Sequence, residues 1–94
     1  GGGYVDLRLL DKRKRQAVVI ELKSSDKEGD MEGDANKALE RIIDPEGLPL
    51  PNINTVREYG IGVCHLISFV KGRYLEPNDQ NHWVEKDDPA MSVS

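Results

Sequence analysis

Glu21 and Lys23 close the run Ala17-Val18-Val19-Ile20-Glu21-Leu22-Lys23, which has the length and β-branched content of a buried strand. Side chains alternate along a strand, so Glu21 and Lys23 share a face and Leu22 takes the other. A carboxylate and an ammonium so spaced would suit a site that holds a cation and meets developing negative charge. The same triplet also reads as a strand end emerging into water. Asp6 is a third candidate, early in the alternating run Tyr4-Val5-Asp6-Leu7-Arg8-Leu9-Leu10, which reads as a strand with Val5, Leu7 and Leu9 on its buried side.

The elements that must position these groups follow from the connections. Asp11 to Gln16 is short and basic, so an antiparallel hairpin is the natural join between the two strands. With the turn at one end, Asp6 falls opposite the neighbourhood of Glu21 to Lys23, and all three share a face if the register fits. A slip of one residue would separate them. The consecutive cations Lys12, Arg13, Lys14 and Arg15 in the turn read either as a solvated face or as a phosphate-contacting loop.

The acidic stretch Ser24 to Asp34 follows. Ser25 and Glu28 have capping-box spacing, so a helix is expected to begin there, weakened by Gly29 and Gly33. The spacing of Asp26, Asp30 and Asp34 lacks the alternation and terminal Glu of a calcium loop. Ala35, Ala38, Leu39, Ile42 and Ile43 form the apolar stripe of a helix packed on a sheet, with Arg41 at its border. Asp44-Pro45 should stop that helix, and Glu46 to Asn54 reads as a loop.

Tyr59 to Val70 reads as one core strand or two, Lys71-Gly72 as a turn, and Arg73 to Leu75 as a further short strand. Cys64 and His65 are adjacent and would point to opposite faces, which suits structural roles better than joint metal ligation. The division expected is a core over residues 1–75 and a polar, mobile tail over 76–94 anchored by Trp83.

Composition narrows the function classes. The chain has 94 residues, 37% of them hydrophobic, and a net charge of -4, enough for one thin core. A generic nucleic-acid binder would be basic, so contact with phosphate must be local and helped by a cation. The lone cysteine forms no internal disulfide, which fits a reducing, intracellular setting. No apolar run approaches the ~20 residues of a membrane helix, so no membrane partner is expected.

Four segments in order, Gly3-Tyr4-Val5-Asp6-Leu7, Val19-Ile20-Glu21-Leu22-Lys23, Ala38-Leu39-Glu40-Arg41-Ile42 and Tyr59-Gly60-Ile61-Gly62, give the chain a pattern that resembles the PD-(D/E)xK nuclease superfamily. The branch it looks most like is often found behind AAA-ATPase-like domains, which would make an upstream domain of the parent chain a partner. The resemblance implies an α/β, restriction-endonuclease-like mixed sheet with flanking helices, here without the family's first helix. It implies a nuclease that binds Mg2+ (or Mn2+) through Asp6, Glu21 and the Leu22 carbonyl, with Lys23 assisting the attacking water. Arg13, Lys14, Arg15 and Arg41 would contact nucleic acid. Two departures stand out: Arg41 occupies the place of a common glutamine, and Asp44-Pro45 replaces a tyrosine. The alternatives are a catalytically silent nuclease fold that binds nucleic acid or protein, and an unrelated α/β interaction module.

Overall fold

The computed structural model describes residues 3–42 and 52–90. They form a five-stranded mixed sheet with one α-helix on one face, a small α/β fold. The elements are β1 (Tyr4–Asp11), β2 (Gln16–Ser24), α1 (Met31–Arg41), β3 (Thr55–Cys64), β4 (Ile67–Pro77) and β5 (Trp83–Lys86). The strands lie in chain order across the sheet. All neighbours are antiparallel except β2 and β3, which run parallel and are joined through α1, the crossover that parallel strands require.

The side chains of β2 and β3 alternate in burial, with Ala17, Val19 and Glu21 on one strand and Val56, Glu58, Gly60, Gly62 and Cys64 on the other facing the helix. In α1 the inward residues are Met31, Asp34, Ala35 and Ala38, one helical stripe. The helix comes unusually close to β3. A Cβ on Gly60 would lie 2.2 Å from the Ala35 carbonyl oxygen, and one on Gly62 would lie 2.2 Å from that of Met31. Ala35 and Ala38 above and glycine below therefore let backbone rest on backbone. Away from the glycines the core closes over Ala17, Val56 and Leu75, with Ile53 and Trp83 packed against them.

Several local expectations are corrected. The capping box does not form. Residues Glu28–Asp30 make a single 3-10 turn, and the Ser25 hydroxyl donates to Asp34 at 2.7 Å instead, so the α-helix starts at Met31. It ends at Arg41, with Ile42 extended, while Ile43, the Asp44-Pro45 stop and most of the following loop lie outside the described residues. Lys71-Gly72 is no turn but the middle of β4, and the real reversal is at His65-Leu66, where His65 takes a positive φ of 57°. Val5, Leu7 and Leu9 are not buried, because they lie on the face away from α1, which no described helix covers.

The expected tail contributes structure. β5 pairs with β4, Trp83 packs on the core, and Asp88 forms an ion pair with Arg57. Its polarity misleads because a short edge strand needs only one apolar anchor on its inner face. Among the described residues no helix is long and apolar enough to cross a membrane.

Candidate functional site

The β1–β2 hairpin has the register that places Asp6 directly opposite Glu21, Tyr4 opposite Lys23 and Arg8 opposite Val19. All six side chains therefore project to the helix side of the sheet. Because β1 extends beyond the shelter of α1, an open cleft of about 280 Å³ is left there, lined by Tyr4, Asp6, Arg8, Val19, Glu21, Arg41 and Ile42. Strand pairing brings the two carboxylates together, and the last turn of α1 delivers Arg41 above them.

Glu21 is only 6% exposed. Burial pushes its carboxyl above the usual range, and the nearby Asp6 carboxylate pushes it further the same way. Arg41 and, more weakly, Arg8 oppose that shift. The Arg41 Nε lies 3.3 Å from Glu21 Oε1, and its guanidinium sits over the Tyr4 ring at 4.2 Å from the centroid. Arg8 pairs with Asp6, its Nε 3.3 Å from Oδ2. Each carboxylate thus has one arginine beside it, and Arg41 also stacks on the ring of Tyr4.

Lys23 is on the expected face but aims elsewhere. Its Nζ donates to Asp34 Oδ1 at 2.6 Å, while Asp34 Oδ2 accepts from Ser25. Those two hydrogen bonds, Lys23 first, hold the Asp34 carboxyl below the ordinary aspartate range, and the bond to Asp34 raises Lys23. Lys23 lines a second, acidic cleft of about 430 Å³ with Asp26, Asp30, Asp34 and Lys37. The Tyr4 ring stands between the two clefts, with Lys23 Nζ 5.7 Å from its centroid.

Leu22 lies between Val5 and Ile61 in the sheet, and its side chain turns to the far face. It can therefore offer the site only main-chain atoms. Arg13, Lys14 and Arg15 occupy the hairpin turn, at the other end of β1 and β2 from Lys23. Asp11 lies five steps along the strand from Asp6, about 17 Å at ~3.4 Å per residue. Arg15 is partly engaged already, its Nε donating to the Asn52 carbonyl at 2.9 Å. The basic turn and the acidic cleft are thus separate places.

Sequence reasoning missed Tyr4, Asp34 and Glu58. Asp34 carried a usable signal, since it falls on the Met31, Ala35, Ala38 stripe and a carboxylate there requires a partner. Glu58 is completely buried, 0% exposed, and accepts from Arg73 Nε at 2.5 Å. Its position in the alternation Val56, Glu58, Gly60 marks it as inward.

The donor chemistry of the cleft suits a hard divalent cation. Two carboxylates face each other across a strand pair, and one is pushed toward protonation partly by the other. Oxygen ligands with open sides for water or phosphate are what Mg2+ takes. Among the described residues no group of three or more His, Cys, Asp or Glu side chains surrounds a common point, so the protein side chains would supply two ligands. Comparison with protein-family models, with curated proteins and with solved structures finds no match for the chain.

Proposed function

We propose that the cleft is the site of a metal-dependent phosphodiesterase acting on DNA or RNA, of the PD-(D/E)xK kind with a restriction-endonuclease-like core. The observation that carries this reading is the direct pairing of Asp6 with Glu21 on the sheltered face, with Glu21 buried and its carboxyl raised. Burying a carboxylate beside another is costly and adds nothing to packing, and such arrangements gather at functional sites.

Asp6 and Glu21 would hold Mg2+ or Mn2+, with the Leu22 carbonyl as a main-chain candidate. Such an ion supplies Lewis acidity toward a phosphoryl oxygen and lowers the pKa of bound water. The chain's own residues do the rest. Asp6 and Glu21 fix where the charge sits. Arg41, hinged at the end of α1 and 59% exposed in its side chain, can leave Glu21 for a phosphate oxygen while its plane stays on Tyr4. Lys23, kept protonated by Asp34, lies outside the lining of this cleft and would have to swing from Asp34 to approach water between the carboxylates.

In the presence of Mg2+ or Mn2+ the full chain should cleave mixed nucleic acids. Glu21→Ala should lower the rate by about a hundredfold or more, and Lys23→Ala by a comparable factor. Activity indifferent to both substitutions and to chelation would remove the reading. A second reading, a silent fold that binds nucleic acid or protein, draws support from Arg41 beside Glu21 and from Asp34 holding Lys23. It expects binding with no chelator-sensitive turnover.

A further inference from the structure

We propose that the outer edge of β1 pairs antiparallel with β1 of a second copy of this chain, in the register that sets Leu7 opposite Leu7. The inference is independent of the phosphodiesterase reading.

All eight residues of β1 are exposed, and among the described residues no strand hydrogen-bonds to its outer edge. An open edge presents a row of unpaired N–H and C=O groups, and proteins usually blunt it with proline, a bulge, a very short strand or charged side chains, of which β1 has only the last, in Asp6, Arg8 and Asp11. β1 has no proline, runs for eight residues, and pairs with β2 in unbroken register. The opposite edge, β5, has four residues. Pairing β1 with itself about a two-fold axis uses the same edge on both copies, so it closes as a pair rather than growing into a fibre.

The sequence selects the register. Outward backbone groups and side-chain faces both alternate with period two, so two copies of β1 can pair only odd with odd and even with even. With Leu7 on the two-fold axis, Asp6 of each copy meets Arg8 of the other, Val5 meets Leu9, and Tyr4 meets Leu10. Slipping one way puts Asp6 opposite Asp6, and slipping the other way puts Arg8 opposite Arg8. Like charges directly opposed are destabilising, opposite charges and apolar pairs stabilising. Registers further out overlap fewer residues.

The same register covers an exposed apolar row. Val5, Leu7 and Leu9, at 61%, 49% and 51% exposure, lie on the face away from α1 and would stand beside the same three residues of the second copy. On the helix side, Arg8 of the second copy would reach Asp6 at the rim of the acidic cleft. In the single chain Arg8 already takes its own Asp6 at 3.3 Å, and the pairing exchanges that contact for a reciprocal one.

Sedimentation of the full chain should show a concentration-dependent dimer. Leu7→Cys should give a disulfide-linked dimer on mild oxidation, because opposed residues of an antiparallel pair lie ~4.5–5.5 Å apart at Cα, within disulfide reach. The unsubstituted chain should not cross-link, its cysteine at position 64 being buried. Asp6→Arg and Arg8→Asp should each weaken the dimer by roughly tenfold, and the two together should restore it, which a loss of folding would not do. A chain that stays monomeric, a dimer that Leu7→Cys fails to trap, or a charge swap without rescue would each overturn the proposal.

Discussion

Asp88 does for the C-terminal segment what Asp34 does for the start of the helix: it ties a polar stretch to the sheet through one charged partner. Its Oδ2 accepts from Arg57 Nη1, and Arg57 lies with its guanidinium 4.8 Å from the Tyr74 ring centroid. The hydrogen bond from Arg57, with a smaller contribution from the Ala90 N–H, holds the Asp88 carboxyl below the ordinary aspartate range. A carboxyl lowered on folding stabilises the native state above its unfolded pKa, and the contribution is lost as pH falls through its folded pKa. Asp88→Asn should therefore lower the melting temperature at neutral pH. The gap between variant and parent should close on acidification below about pH 4, the ordinary aspartate range. Thermal melts across that pH range measure it, and a gap that persists at low pH would show that the tether acts through something other than charge. At this scale the sequence was legible where a residue type had one plausible demand. Glu21 could be read as a strand end meeting water or as a ligand, and what the alternation of the two strands did predict was that Asp6 would face it if the register fitted. The tie between Lys23 and Asp34 was not legible, because Asp34 lies eleven residues on and only the folded chain shows that helix and strand bring the two within 2.6 Å.

Among the elements, the contact between α1 and β3 is the most demanding. Gly60 sits beneath the Ala35 carbonyl oxygen at 2.2 Å and the Leu39 amide nitrogen at 2.5 Å from where a Cβ would be. Those are main-chain atoms of a regular helix and cannot step aside alone. Gly60→Ala should therefore lift the helix from the sheet and destabilise the fold by about 1–3 kcal/mol, read by denaturant unfolding. Gly33→Ala, on the same helix but with nothing within 4 Å, should be neutral or stabilising by comparison. The first three strands, the hairpin and the helix were readable from period and turn chemistry, whereas β5 lay hidden in what reads as a polar tail. The boundaries were not, since Ser25 has two possible hydrogen-bond uses and burial of Asp34 decided between them. β4 was broken in two on paper because Lys71-Gly72 resembles a turn. In the folded chain Gly72 instead lies under the Tyr59 ring, with 2.9 Å left for a Cβ, so the strand runs straight through.

Among the described residues the core is thin and lies on the helix side of the sheet, so single anchors matter for the molecule as a whole. Trp83 packs on Ala17, Val56 and Leu75 from the last strand. Trp83→Ala should cost about 1–3 kcal/mol, less than a fully buried tryptophan because the ring is only partly covered, and calorimetry would register it as a lower melting temperature. No change would mean that β5 hangs on the sheet through its backbone alone. The order of the chain also sets an order of assembly. Asp6 and Glu21 are joined through a tight reversal fifteen residues apart, whereas Arg41 reaches them only after the crossover has docked on a strand that begins at Thr55. Local loops close faster than distant ones. During refolding the two acids therefore meet with Arg8 beside them but before Arg41 arrives. For that interval Arg8 alone stands against the two acids of the nascent hairpin, so its rate of formation should be sensitive to ionic strength and to divalent counterions even where the finished fold is not.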